Sequence, residues 1–225
     1  MPIEPNREVR YVAGDPRNFW TPFSGHEVNL IDNPNFARGT IGAQPAEWEP
    51  WYETKTIETL AAPAAMGIVT PTVGEAKYYC GATAYATKMK LHSVYSAQWE
   101  ILFPVAGKYV ATLRNPVSRF IIDSDQGEVE VASGETFLFT FTDFEYESED
   151  QTNTFTIVML REGANFTGET LQIKNVLLSE TSFLPVYFDG DSIESKWTGT
   201  PGESTSRKIN SSGARNYWNP SNLWK

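Results

Sequence analysis

The stretch SRFIIDSDQGEVEVASGETFLFTFTDF, residues 118 to 144, constrains the fold more than any other part of the chain. Phe137, Phe139 and Phe141 recur every second residue, with Leu138, Thr140 and Thr142 between them. A period of two puts the three rings on one face of a strand. Just upstream, Val129 and Val131 alternate with Glu128 and Glu130, and Ser133-Gly134 supplies a turn between the two runs. Phe120-Ile121-Ile122 is β-prone, and Ser124-Asp125-Gln126-Gly127 has turn chemistry, predicting a further reversal there. A Phe row of this kind is the core face of a sheet that a second sheet must cover.

The flanking sequence repeats the pattern. In YSAQWEILFPVAGKYVATLRN, two strands are expected around Pro104 and Gly107, the second with Tyr109, Ala111 and Leu113 on one face. TPTVGEAKYYCGATAY turns at Gly74 into an aromatic run, and TNTFTIVMLRE reads as a strand. ETLQIKNVLLSE reads as the last one, with Leu171, Ile173 and Val176-Leu177-Leu178 inward and an interruption at Lys174-Asn175. Helix signals are scarce. The best lies in ETKTIETLAAPAAMG, residues 53 to 67, where Pro63 limits a helix to barely two turns. Many short strands separated by Gly/Pro turns predict an all-β sandwich.

Composition supports a packed domain and narrows its chemistry. Hydrophobic residues make up 40% of the 225-residue chain and aromatics 13%. The formal net charge of -10 opposes binding to a phosphate backbone, which needs Lys and Arg to replace counterions. Nucleic acid is therefore not an expected partner. The lone cysteine, Cys80, rules out an internal disulfide and reads as a small buried hydrophobe. His26 and His92 belong to no catalytic or zinc motif. The carboxylates of EYESED, residues 145 to 150, crowd one loop, whereas glycosidase chemistry needs two carboxylates set across a cleft. No catalytic constellation, cofactor motif or metal-ligand spacing is visible, so the expectation is a non-enzyme without cofactors.

Residues 1 to 27 carry Pro2, Pro5, Pro16 and Pro22, which forbid a helix, and Phe19, Trp20 and Phe23, which need cover. This predicts an extended arm that docks on a surface, either that of its own domain or that of a neighbouring subunit, with the three aromatics as the docking residues. The opening lacks an apolar signal-peptide core, and no run is long enough to span a bilayer. A chain made in a cytoplasm and not exported alone is expected, and the Asn165 and Asn210 sequons read as chance matches. After residue 185 the strand pattern gives way to spaced aromatics in a polar chain, ending with Tyr217, Trp218 and Trp224 as further docking anchors. In this segment Asp189-Gly190 makes a tight turn, expected to be solvated, and Asp189 and Asp191 lack the ligand spacing of a calcium loop.

Two motifs carry a family resemblance. YFDGDSIESKWTGTPGESTS, residues 187 to 206, resembles the closing segment of minor tail proteins of phages infecting actinobacteria. NLIDNPNF, with Asn29, Leu30, Asn33, Pro34 and Phe36, resembles the first strand and turn of carbohydrate-binding-module jelly rolls, which continue with a Trp matched by Trp48 or Trp51. The resemblance implies an extended arm over 1–27, a jelly-roll β-sandwich over 28–185 with its last strand beside its first, and a hairpin or arm over 186–225. It implies a virion structural component, at the tail or tail tip, with other virion proteins, further copies of the chain or host-envelope glycans as partners. A glycan-binding receptor module and a capsid decoration protein are the alternatives. By residue type, Trp48, Trp51, Tyr52 and Trp99 are the candidates for stacking on a sugar, with about two of the four expected in the core instead.

Overall fold

The computed structural model describes residues 27 to 208, except 37–39, 53, 61–64, 71–78, 85–86, 88, 116, 119, 151–154, 162–167, 190, 193–194 and 202–203. The described residues contain strands and turns and no helix. The strands are β1 (Val28–Asn29), β2 (Trp48–Trp51), β3 (Thr56–Leu60), β4 (Ala65–Val69), β5 (Tyr79–Ala84), β6 (Val94–Leu102) and β7 (Gly107–Arg114). They continue with β8 (Ile121–Val131), β9 (Thr136–Glu145), β10 (Phe155–Arg161), β11 (Thr170–Ser179), β12 (Ser195–Trp197) and β13 (Ser206–Lys208).

Two five-stranded sheets face each other, ordered β2-β5-β10-β7-β8 and β3-β4-β11-β6-β9. Their pairing follows one rule. β7 pairs β8, β6 pairs β9, β5 pairs β10 and β4 pairs β11, all antiparallel. The chain is thus one long hairpin, folded at the β7–β8 turn and rolled so that its rungs fall alternately into the two sheets. That is a jelly roll. β2 and β3 extend its sheets beyond β5 and β4.

The core follows the period-two pattern. Phe139 and Phe141 are fully buried, and Phe137 packs partly buried beside them. Trp99 on β6 sits between the sheets, 4.4 Å from the Phe141 ring and edge-on to Phe155 at 6.0 Å. Tyr109, Ala111 and Leu113 of β7 and Leu171 and Ile173 of β11 face the same interior. The interruption expected at Lys174-Asn175 is a β-bulge, with Asn175 at φ 54°. Both side chains bond the Glu100 carboxylate, at 3.1 and 2.8 Å. Cys80 is buried in the core.

Two expectations of secondary structure fail. The described residues between 54 and 67 hold no helix. Thr56–Leu60 and Ala65–Val69 pair as the antiparallel strands β3 and β4. Ile57 and Thr59 turn inward while Glu58 between them is half-buried, so β-branched alternation prevails over weak helix spacing. Nor does Ser124-Asp125-Gln126-Gly127 reverse the chain. β8 runs straight through, and the register passes from Thr112↔Asp123 to Val110↔Glu128, so four residues of β8 oppose one of β7. Gly127, at φ 59°, supplies the left-handed residue this bulge needs. Its side chains reach the neighbouring sheet. Asp125 accepts from the Thr142 N–H at 3.1 Å and the Thr140 hydroxyl at 2.8 Å, and Gln126 accepts from the Thr140 N–H at 3.1 Å.

At the opening of the fold, Asn29 is a four-way staple. Its amide donates to the carbonyls of Val176 (3.0 Å) and Phe188 (3.2 Å). Its oxygen accepts from the Ile31 and Leu178 N–H groups, each at 3.2 Å. The Leu30 N–H adds a 2.8 Å bond to the Leu178 carbonyl. The last strand of the roll therefore does return beside the first segment of the domain. β1 also pairs β13, which pairs β12, in a separate three-stranded sheet.

The turn at Asp189 is not solvated. Asp189 is 7% exposed, and its carboxylate accepts from the Asn35 amide at 2.6 Å, the Tyr187 hydroxyl, the Asp191 N–H and the Ser192 hydroxyl. Burial, and after it the Asp189 charge, pushes the Tyr187 phenol far above its usual range. Trp197 is half-buried and donates from its indole to Asp191 at 3.0 Å. Phe19, Trp20, Phe23, His26, Tyr217, Trp218 and Trp224, with both sequons, lie outside the described residues.

Candidate functional site

Alternation along the first sheet decides which side chains it shows to the outside. With Cys80, Ala82, Leu113 and Ile157 turned inward, the outward residues form rows across the strands. One row runs Trp51, Gly81, Val158, Thr112, Asp123, and the next runs Glu49, Thr83, Thr156, Arg114, Ile121. The middle of these rows is small, and Gly81, Thr83, Thr112, Thr156 and Val158 are all buried. Thr83 and Thr156 share a 3.0 Å hydroxyl bond.

Large side chains at the two sides meet above this floor. The Arg114 guanidinium, from β7, lies over the Trp51 ring, from β2, with 4.8 Å between its central carbon and the ring centroid. Two strands, β5 and β10, pass beneath them. Gly81 makes the approach feasible. A Cβ there would stand 2.3 Å from the Ile157 carbonyl oxygen and 3.2 Å from the Trp51 ring, so only glycine fits. Thr54 locks the position, since its hydroxyl both accepts from the Gly81 N–H and donates to the Gly81 carbonyl at 2.8 Å.

Tyr52 and Tyr79 complete an aromatic group. Tyr52 lies 5.3 Å from Trp51 at 32° and 5.4 Å from Tyr79, and Trp51 and Tyr79 are 6.3 Å apart. Tyr52 follows β2 in a turn at φ 52°, which lifts its ring off the strand. It is 68% exposed, whereas Trp51 and Tyr79 are half-buried. The outer surface is thus one open phenol ring backed by two further rings and a cation. Such a stack presents a flat apolar face with hydrogen-bonding groups at its rim, the chemistry that a pyranose ring with its C–H face and hydroxyl edge requires. Ile121, at the far end of the Arg114 row, also lines an open cleft of about 450 Å³ with Phe120, Glu147, Ser148 and Glu149. No group of three metal-ligating side chains occurs among the described residues.

Of the four aromatics singled out by residue type, the structure brings Trp51 and Tyr52 together and withdraws Trp48 and Trp99. Trp48 is 1% exposed, packs on Phe36 at 5.3 Å and donates its indole N–H to the Asp32 carbonyl. Trp99 is fully buried between the sheets. Neither offers a ring to a ligand. Tyr79 and Arg114 were not among the sequence candidates. Arg114 was findable: it follows inward Leu113, so strand alternation sends it outward beside the aromatic strand edge.

No protein-family profile matches the chain. No curated protein matches it. Solved structures do. An arabinose-bound GH51 α-L-arabinofuranosidase superposes with a TM-score of 0.54 at 15% identity, over 69% of this chain and 27% of that one. The likeness is one of fold. The chain thus corresponds to about a quarter of that enzyme's length. TmCBM61, solved with β-1,4-galactotriose, matches at TM-score 0.43 and 16% identity, over 68% of this chain and 99% of that one. A family 29 carbohydrate-binding module matches at TM-score 0.40 and 16% identity, over 68% and 86%.

Proposed function

We propose that this chain is a non-catalytic glycan-binding module that serves as a structural and attachment component of a phage tail. The observation that carries the glycan reading is the exposed Tyr52 ring, held open by its turn and backed by Trp51, Tyr79 and Arg114. The jelly-roll sandwich gives this group a rigid sheet to stand on. Saccharide arrays probed with the full chain test the reading. Tyr52→Ala should weaken any saccharide bound by about tenfold, equivalent to ~1.4 kcal/mol and in the range of one aromatic contact. Its circular dichroism and melting temperature should stay unchanged, because Tyr52 supports no core. Full binding by Tyr52→Ala would remove the platform from the mechanism.

The virion reading is supported by the C-terminal segment resembling phage minor tail proteins and by the proline- and aromatic-rich opening residues. Deleting residues 1 to 27 should leave the sandwich folded and abolish incorporation into particles, read by mass spectrometry of purified virions. A truncated chain found in particles at normal copy number would show that the arm is not the anchor.

A further inference from the structure

Arg114 stands out electrostatically as well as geometrically. Among the described residues its guanidinium has no hydrogen-bond acceptor and no ion-pair partner, and its Nε is sealed from solvent unbonded. A half-buried cation with no acceptor is costly, and paired carboxylates are the usual remedy. The chain has them in excess, with 28 Asp and Glu against 18 Lys and Arg. Elsewhere it uses them: Arg161 bonds Glu169, Lys108 bonds Glu128 and Lys174 bonds Glu100. At Arg114 it does not. Glu49 shares the Arg114 row, and Asp123 lies in the neighbouring row on the adjacent strand, yet both are exposed and neither closes on the guanidinium. Instead the Trp51 ring fixes the cation in place by a cation–π contact, which leaves Nη1 and Nη2 without partners among the described residues.

We infer that Arg114 is the recognition point for a carboxylate on the ligand, and that the saccharide taken by this face is an acidic one carrying a uronate unit. The inference rests on the glycan reading of the same face. A guanidinium presents its two outer nitrogens as a fork that matches a carboxylate with two parallel bonds. Held against Trp51 and close to the Tyr52–Tyr79 group, the fork is placed to take the carboxylate of a sugar whose ring stacks on the exposed phenol. The surrounding negative charge, -10 over the chain, disfavours a long polyanion and favours a short acidic unit engaged at one point.

The test uses the full chain and a panel of uronic acid trisaccharides of α and β linkage, each paired with its neutral methyl ester, with neutral trisaccharides alongside. Titration calorimetry should show at least one acid bound tenfold or more tightly than its ester, and that preference should shrink as NaCl is raised. Arg114→Met, which keeps an unbranched apolar chain against Trp51, should lose the preference. Arg114→Lys should keep part of it, being a cation without the fork. Equal binding of acid and ester, or a preference that survives in Arg114→Met, overturns the inference while leaving the glycan reading in place. Binding of neutral sugars alone does the same. No binding by any saccharide overturns both. A melting temperature of Arg114→Met within a few degrees of wild type confirms that the loss is one of recognition.

Discussion

Phe139→Asp should leave the domain unfolded at neutral pH. Phe139 is fully buried, 4.9 Å from Phe137 and 6.2 Å from Phe103 by ring centroids, and faces Trp99 across the β6–β9 pair. Removing the ring alone costs about 3–5 kcal/mol. A carboxylate in its place loses its hydration among the rings of Phe137 and Phe103, adding several kcal/mol more against a total stability of about 5–15 kcal/mol. The charge component can be separated by pH. Burial raises the folded pKa of the new Asp above its unfolded value of about 3.9, so the folded state binds the proton more tightly. The ionisation penalty is then absent below about pH 4 and grows as pH rises through the folded pKa. Phe139→Asn carries no such penalty. The stability gap between the two variants should therefore close at acid pH. A gap independent of pH would mean that the aspartate reaches water, and that the Phe row is not sealed.

Asn29→Ala should be nearly as severe although it removes only a small polar side chain. Asn29 is 0% exposed and makes four bonds to backbone groups of three separate segments. At about 1 kcal/mol for each bond, and more for each buried group left unpaired, the loss is ~4 kcal/mol or above. The urea midpoint should fall by about half or more. Asn29→Asp is the informative companion. It keeps the oxygen that accepts from Ile31 and Leu178, and sets a second oxygen against the Val176 and Phe188 carbonyls. It should therefore be no better than alanine. An aspartate variant of wild-type stability would show that the two donated bonds contribute nothing.

How much of this was legible in the chain depends on how far each feature reaches. The Phe row, the alternation of β7 and the interruption of β11 are local, and the sequence displays them directly. The failures share one cause. Ser124-Asp125-Gln126-Gly127 has the same composition whether the backbone reverses or merely bulges, because a left-handed residue and polar side chains serve both. ETKTIETL carries apolar residues at positions that suit a short helix or a strand, and the partner strands chose between them. Trp48 and Trp51 are three residues apart on one strand, so alternation puts them on opposite faces, yet residue type alone made both candidates. Asp189 looked like an ordinary turn residue, because the Asn35 amide that buries its carboxylate comes from 154 positions away. The Trp51–Arg114 contact likewise joins strands that neighbour neither each other nor one another's loops, and only the rolled topology brings them over Gly81.

The bulge in β8 has a consequence for how copies of this chain behave when crowded. β9 is the outermost strand of its sheet, and such a margin ordinarily offers a ladder of free N–H groups onto which another chain can zip. Here two consecutive outward rungs of that ladder, the N–H groups of Thr140 and Thr142, are already held by the side chains of Gln126 and Asp125. A carboxylate stationed on the margin also repels its own image on an approaching copy. The sheet is in effect hemmed: two side chains from the opposite sheet stand where a foreign strand would dock, and at high concentration they would keep two sandwiches from fusing side by side.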